Sequence, residues 1–294
     1  MTMSKLTIIG ERINPGFKST RELFEQEDFA GIQELAKRQA SAGAGYLNVN
    51  VGSRALSDPG FMKEVIQAIQ EVVDLPLSFD FPNVEVQTVC LETYDIKKAL
   101  GRKPIVNSIS ETRWNMLELL SVRPFKVILM ASERLEGGVG RPNKFSTEVA
   151  QVAKRMTEKL IGHYGLMPDD IFVDISINAL SSDIEGLLQM AIDGIKAIGQ
   201  DQAMSGVHLS GGLSNIVQQL PARAFDGSDL KSQIERAFLT LAVPYGFDTV
   251  LGTPWKDYAP LPPDSPILAL FQEIIAARGV DAMRLVRKLY RGLE

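Results

Sequence analysis

Carboxylates and carboxamides recur at one kind of place in this chain, the C-terminal end of a short apolar run. Asp80 closes Leu77-Ser-Phe-Asp80, Asn107 closes Pro104-Ile-Val-Asn107, and Asp174 closes Ile171-Phe-Val-Asp174. Asn48 and Asn50 lie within Tyr46-Leu-Asn-Val-Asn-Val51, two apart and therefore on one face of a strand. Glu11, Arg12 and Asn14 follow Leu6-Thr-Ile-Ile9, and His208-Leu-Ser-Gly-Gly-Leu-Ser-Asn215 carries an apolar run through two glycines to a serine and an asparagine. An ionised carboxylate accepts two N–H bonds, and a carboxamide offers one donor side and one acceptor side in a fixed plane. Gathered together, such groups read a flat heterocycle with donors and acceptors along one edge, as in the 2-amino-4-oxo ring of a pterin. Each residue also has a plain structural use, because an Asp at a strand end caps the next helix and Gly-Gly punctuates a turn. Six positions of one narrow chemical kind are harder to explain that way than one.

Other chemistries lack their groups. No lysine closes one of these runs for a Schiff base, and no Ser-His pair is readable from spacing. With one cysteine and two histidines there is neither an internal disulfide nor a Cys/His cluster for zinc, so no metal site is expected. Cys90 falls in the apolar phase of a helical stretch with Val86 and Val89, which reads as core packing. His208, alone in a strand, reads as a satisfied core residue rather than a ligand.

The elements that must hold these groups follow from the hydrophobic pattern. Eight short β-like runs are expected at 6–9, 46–51, 77–80, 104–107, 126–130, 171–174, 206–209 and 248–251. Amphipathic helical windows alternate with them, for example Phe29, Ile32, Leu35 and Ala36, then Phe61, Val65, Ala68, Ile69 and Val72, and later 149–161, 184–198 and 230–241. No G-x-G-x-x-G follows Ile9, which argues against a doubly wound dinucleotide fold. The pattern predicts an α/β chain folded as a single (β/α)8 TIM barrel over residues 1–294, with an extra C-terminal helix from one or two helical windows between Pro266 and Leu293 that break near Arg278-Gly-Val280. In such a barrel the strand ends that carry Asp and Asn form one rim.

Composition fits a soluble globular chain, with 45% hydrophobic and 23% charged residues. A net charge of −5 offers no positive field for nucleic acid. No apolar stretch reaches membrane-span length and Met1–Asn14 has no signal-peptide core, so a cytoplasmic protein without a membrane partner is expected.

The ordered set Ile9-Gly-Glu-Arg-Ile-Asn14, Leu47-Asn-Val-Asn-Val-Gly52, Phe79-Asp80, Val106-Asn-Ser108, Val173-Asp174 and Gly212-Leu-Ser-Asn215 resembles the pterin-binding corrinoid methyltransferases. The group it is most similar to transfers methyl groups between methyltetrahydrofolate and a corrinoid/iron-sulfur protein, and it is related to the folate module of cobalamin-dependent methionine synthase. The resemblance covers nearly the whole chain. It implies a (β/α)8 barrel, a homodimer, tetrahydrofolate or 5-methyltetrahydrofolate as substrate, and a corrinoid carried by a partner protein. It also implies roles: Asp80, Asn107 and Asp174 on the pyrimidine edge of the pterin, Asn215 at N5, Gln218 and Arg223 in the following loop, and Asn14 and Asn50 supporting the floor. Asp80, Asp174 and Asn215 would form the catalytic set.

The chain departs from the family pattern at three places. Asn48-Val-Asn50 stands where the family has Asp-x-Asn, Asp80-Phe-Pro-Asn83 where it has Asp-Ser or Asp-Thr, and Gly252-Thr-Pro-Trp255 where it has an acidic loop. These changes point to a relative in a methyl-catabolic O-demethylation system, unloading a methylcorrinoid onto tetrahydrofolate. Dihydropteroate synthase, on the same kind of barrel, would need a first loop like Asn-x-Thr-Pro-Asp-Ser-Phe, and the chain has Asn14-Pro-Gly-Phe-Lys-Ser19. A non-catalytic pterin-binding subunit of a corrinoid complex is the other alternative. Two segments are candidates for partner contact or plain connection: the glycine-rich loop Glu133–Pro142, and Gly252–Pro263 with Trp255 and Tyr258.

Overall fold

Strand pleat decides which side chains of each short run meet in the middle of the molecule. In the computed structural model, which describes residues 6–292, eight parallel strands close a barrel: β1 (Thr7–Ile13), β2 (Tyr46–Val49), β3 (Leu77–Asp80), β4 (Ile105–Ile109), β5 (Lys126–Met130), and, after a separate hairpin of β6 (Glu133–Glu136) and β7 (Val139–Pro142), β8 (Ile171–Asp174), β9 (His208–Gly212) and β10 (Phe247–Gly252). β1 pairs with both β2 and β10, which closes the ring. The helices α1 (Lys18–Glu25), α2 (Phe29–Ser41), α3 (Arg54–Ser57), α4 (Pro59–Val72), α5 (Val84–Thr93), α6 (Ser146–Tyr164), α7 (Leu187–Gly199), α8 (Leu230–Ala242), α9 (Pro266–Ala276) and α10 (Gly279–Arg291) follow between and after the strands.

One pleat phase points outward and fills the main core between sheet and helices; it includes Leu47, Val49, Leu77, Phe79, Val106, Val127 and Val173, all buried. The other phase points into the barrel. There Ile9, Ile105, Ile128 and Phe172 form a separate small cluster, with Tyr46, Met130 and Leu251 against it. The same inward phase, continued along each strand, carries Asn48, Asp80, Asn107 and Asp174. Cys90 is fully buried in α5, as its phase predicts.

Four local features differ from the sequence expectation. The two glycines after Ser210 lie inside β9 rather than in a turn, because Gly211 packs where an added Cβ would come within 2.8 Å of Ile177. β1 runs on through Ile13, and a bulge places Glu11 and Arg12 opposite the single residue Asn48. After β4 the chain forms a 3₁₀ helix, Trp114–Ser121, in place of an α-helix. The segment 133–142 is an antiparallel hairpin, turned at Gly137 and Gly138, both of positive φ. The C-terminal window divides at Arg278, as expected, into α9 and α10.

Ion pairs gather at the N-terminal face of the barrel, opposite the Asp/Asn rim. His208 starts β9, stacks on Phe172 with ring centroids 4.6 Å apart, and hydrogen-bonds Asp248 at 2.8 Å and Asp169 at 3.2 Å. Lys126 reaches Asp169 at 2.6 Å, and Lys103 binds both oxygens of Asp170. His208 is therefore a satisfied structural residue, two positions below Ser210 on its strand. Its hydrogen bond to Asp248, with support from Asp169, raises the imidazole pKa despite burial. A raised folded pKa means that this pair stabilises fully below the unfolded value of about 6.5 and loses its contribution as pH rises through the folded value. Urea unfolding at pH 6 and pH 9 is expected to show a stability loss on the order of 1 kcal/mol from this group, which His208→Gln abolishes; an unchanged pH dependence in that variant would remove the pair from the account.

Candidate functional site

Asp80 occupies the last position of β3, opposite Asn107 of β4 in the strand register. It caps no helix, since the N-cap of α5 is Asn83, whose Oδ1 accepts from Val86 N at 2.9 Å. Instead its Oδ2 accepts from the carboxamides of Asn48, at 3.2 Å, and Asn50, at 3.3 Å. Asn48 lies in β2 and Asn50 just past its end, and both converge on this one oxygen. Burial raises the Asp80 carboxyl above the ordinary carboxylate range, and the bonds from Asn50 and Asn48 offset part of that rise. The other oxygen of Asp80 has no protein hydrogen bond among the described residues.

Asp174 stands at the matching position of β8, with Ser210 beside it on β9. It too fails to cap a helix: the N-terminus of α7 is held by Asp183, which accepts from the N–H groups of Gly186, Leu187 and Leu188. Asp174 accepts from Ser176 N at 2.6 Å. Burial nevertheless pushes its carboxyl up to about 6, and the nearby charge of Asp80 adds to the rise. The two carboxyls therefore sense one another across the mouth. Around them, Asn48 Oδ1, Ser78 Oγ and Ser210 Oγ are buried without a hydrogen-bond partner. Buried groups left unpaired are costly, and in a native site they mark where a ligand or water completes the network.

Asn215 enters from β9 on a short 3₁₀ turn, Leu213–Val217. Gly212 makes room for it: an added Cβ there would lie 2.8 Å from Asn215 Nδ2. Its carboxamide oxygen accepts from Gln218 Nε2 at 2.9 Å, so the amide N–H groups are the side left to offer. Asn107 and Met130 complete the inward layer beside Asp80 and Asp174. Two other expected contributors make local bonds in their own loops. Asn14 accepts from Gly16 N at 2.8 Å and shapes its own loop, and Arg223 donates to Gly227 O at 3.2 Å in the exposed loop after Val217.

Two supporting residues are not among the expected site residues. Glu11, buried by the β1 bulge, accepts from Ser214 Oγ at 2.7 Å and from Thr253 Oγ1 at 2.8 Å, tying the ends of β1, β9 and β10 together next to Asn215. Gln87, fully buried on α5, donates to the carbonyls of Phe79 and Phe81 at 2.8 and 2.9 Å and fixes the chain on both sides of Asp80. A glutamine in the apolar phase of Val86, Cys90 and Leu91 was the available signal for the second. Of the two candidate contact segments, Gly252–Pro263 packs partly on the barrel, with Arg38 stacked 3.9 Å over Trp255 and Tyr258 bonded to Thr253 O.

Comparison with known proteins agrees with the barrel fold. Dihydropteroate synthase from Thermus thermophilus, in complex with 6HMPPP, superimposes with a TM-score of 0.58 at 14% identity over 94% of both chains. The Xanthomonas albilineans dihydropteroate synthase in complex with 7,8-dihydropteroate gives 0.54 at 16% identity, over 94% of this chain and 96% of that one. At such identity these likenesses establish the barrel fold alone. The methylcorrinoid:tetrahydrofolate methyltransferase of Eubacterium limosum is 29% identical over 257 residues, 85% of each chain. The family model described as "Pterin binding enzyme" matches residues 10–251, which span every barrel strand from the end of β1 to the end of β10, and the chain belongs to that pterin-binding enzyme family.

Proposed function

We propose that this protein is a methyltransferase that moves a methyl group from a corrinoid-bound cobalt to N5 of tetrahydrofolate. The observation that carries this reading is the similarity to the Eubacterium limosum enzyme along 85% of both chains, since that enzyme's name states both substrates. The site supports it. Asp80, Asn107 and Asp174 form an edge of two carboxylates and one carboxamide, complementary to the ring N–H, the exocyclic amine and the carbonyl of a pterin. The unpaired oxygens of Asp80 and Asp174 then find donors, and the ring is held with its opposite edge toward β9.

In this orientation N5 lies on the side of Asn215, whose amide N–H groups are free to bond the nitrogen. N5 of tetrahydrofolate gives its lone pair to the methyl carbon, the cobalt–carbon bond breaks with its electron pair left on cobalt, and the N5 proton passes to water. A neutral carboxamide suits this step, because it orients N5 without protonating the lone pair that attacks. In reverse, the same amide stabilises N5 as a leaving group. Gln218 holds the Asn215 oxygen and so fixes which side of the amide is presented. Arg223, Asn14 and Asn50 act more remotely, Asn50 through Asp80 and the other two through the loops they shape.

The direct test follows methyl transfer from methylcobalamin, free or on a corrinoid protein, to tetrahydrofolate, by the absorbance of cobalt(I). Pterin binding without transfer from either donor would leave the protein as a non-catalytic binding subunit. Asn215→Ala should lower kcat about 100-fold with the fold intact, the scale of a lost transition-state hydrogen bond; an unchanged kcat would exclude Asn215 from the chemistry. Asp174 predicts a pH dependence of binding. Its free-state pKa is raised to about 6, and pterin N–H donors favour the anion, so affinity should rise with pH up to about 6 and level off above it. Asp174→Asn should flatten that profile and weaken binding by about 1 to 3 kcal/mol. Calorimetry at pH 5 and pH 7.5 measures both effects, and a wild-type affinity independent of pH would mean that Asp174 does not face the ring.

A further inference from the structure

The last helix stands outside the eight strand–helix repeats, yet it packs at the mouth of the barrel. At its start Gly279 donates its N–H to Ile184 O at 2.9 Å, in the loop between β8 and α7, and near its end Leu289 O accepts from Phe225 N at 3.0 Å, in the loop after β9. The first of these loops also touches the site, since Ser181 Oγ donates to Gln218 O at 2.9 Å and Gln218 holds Asn215. α10 is thus part of the rim that carries the carboxamide assigned to N5.

Its two faces differ sharply in character. Ala282, Val286 and Leu289 are buried against the protein. Val280, Met283, Arg284, Arg287 and Arg291 recur at three- and four-residue spacing and are all exposed, so they form one outward stripe. Val280 is 64% exposed, and Ile184 and Phe225, at either end of the helix, are 47% and 45% exposed. Between 278 and 291 the chain carries five cationic residues and only Asp281 in opposition, a local charge of +4 (5 − 1) in a chain of net charge −5. An apolar strip bordered by arginines, opposite in sign to the whole molecule, resembles the composition of a protein-contact surface more than that of a solvated helix.

We propose that this face of α10, with Ile184 and Phe225, docks an acidic patch of the corrinoid-carrying protein during methyl transfer, an inference that rests on the function proposed above. A corrin bound to a protein reaches N5 only if that protein settles on the barrel rim. α10 is the element added to that rim, and its arginines attract an acidic partner that the net negative charge of the chain would otherwise repel. Such steering is long-ranged and screened by salt.

The test uses the charge reversal Arg284→Glu/Arg287→Glu/Arg291→Glu, none of which touches the site, with tetrahydrofolate and two methyl donors: a methylcobalamin-loaded cognate corrinoid protein and free methylcobalamin. Toward the corrinoid protein, kcat/KM should fall about tenfold through KM and lose most of its salt dependence. Transfer from free methylcobalamin and the melting temperature should stay at wild-type levels, and the triple lysine variant should behave as wild type. Unchanged kinetics toward the corrinoid protein, or an equal loss with free methylcobalamin, would overturn the docking surface and leave the function standing. Loss of sedimentation with phosphatidylserine vesicles, without a change in corrinoid-protein kinetics, would also overturn it by assigning the helix to lipid. If the wild-type protein transfers from neither donor, the functional reading falls and the docking proposal with it.

Discussion

The site depends on one unfavourable circumstance, two largely buried carboxylates near each other with no cation paired to either among the described residues. Asp80 receives only two carboxamide N–H bonds, and Asp174 receives a backbone N–H from Ser176. Neutral donors recover part of the desolvation penalty, and the rest appears as raised pKa values. An arginine or lysine at either place would stabilise the fold, but it would also occupy the oxygens that the proposed function assigns to a pterin edge. Asn48 Oδ1, Ser78 Oγ and Ser210 Oγ, buried without a protein partner, belong to the same arrangement.

Such a site persists only if its frame is rigid without it, and the frame divides the work between its two ends. At the N-terminal face every prominent charge has a counterpart: His208 with Asp248 and Asp169, Lys126 with Asp169, Lys103 with Asp170. At the C-terminal face the supports act on backbone and loops, and one of them is cationic: Arg113 donates to Ser108 and Ser110 beside Asn107. Gln87 fixes the chain around Asp80, Asp183 secures the start of α7, and Glu11 gathers the ends of β1, β9 and β10. Glu11 commits both oxygens to hydroxyls, so it steadies Ser214 and Thr253 together.

Much of this was legible in the residues. All eight strands fall where short apolar runs predicted them, and Asp80, Asn107 and Asp174 share a rim because each closes such a run. Two-residue spacing put Asn48 and Asn50 on one side of the chain, while their common partner Asp80 is set by the neighbouring strand. What could not be read was anything set by tertiary approach. The glycines of β9 looked like a turn because their reason for being small, contact with Ile177 and room for Asn215, is non-local. The hairpin at 133–142 looked like an open loop because its strands are short and half composed of charge and glycine. Glu11 was visible as a strand-end acid, but its partners lie more than 200 residues away, at sequence separations of 203 and 242.

The position of Asn215 ties these strands of reasoning to the direction of chemistry. A buried general acid at N5 would speed release of a methyl group from methyltetrahydrofolate, but it would hold the free amine protonated and slow its attack in the other direction. The structure instead places two carboxyls of raised pKa, Asp80 and Asp174, at the ends of β3 and β8, on the edge assigned to the pyrimidine ring, and presents after β9 an exposed amide that cannot hold a proton. Exposure matters for the same reason, because the proton lost from N5 on methylation then has water to receive it. In the ring orientation proposed above, an amide at N5 and carboxylates at the far edge favour a catalyst that accepts methyl groups onto the pterin, with binding energy drawn from the ring and the reacting nitrogen left nucleophilic.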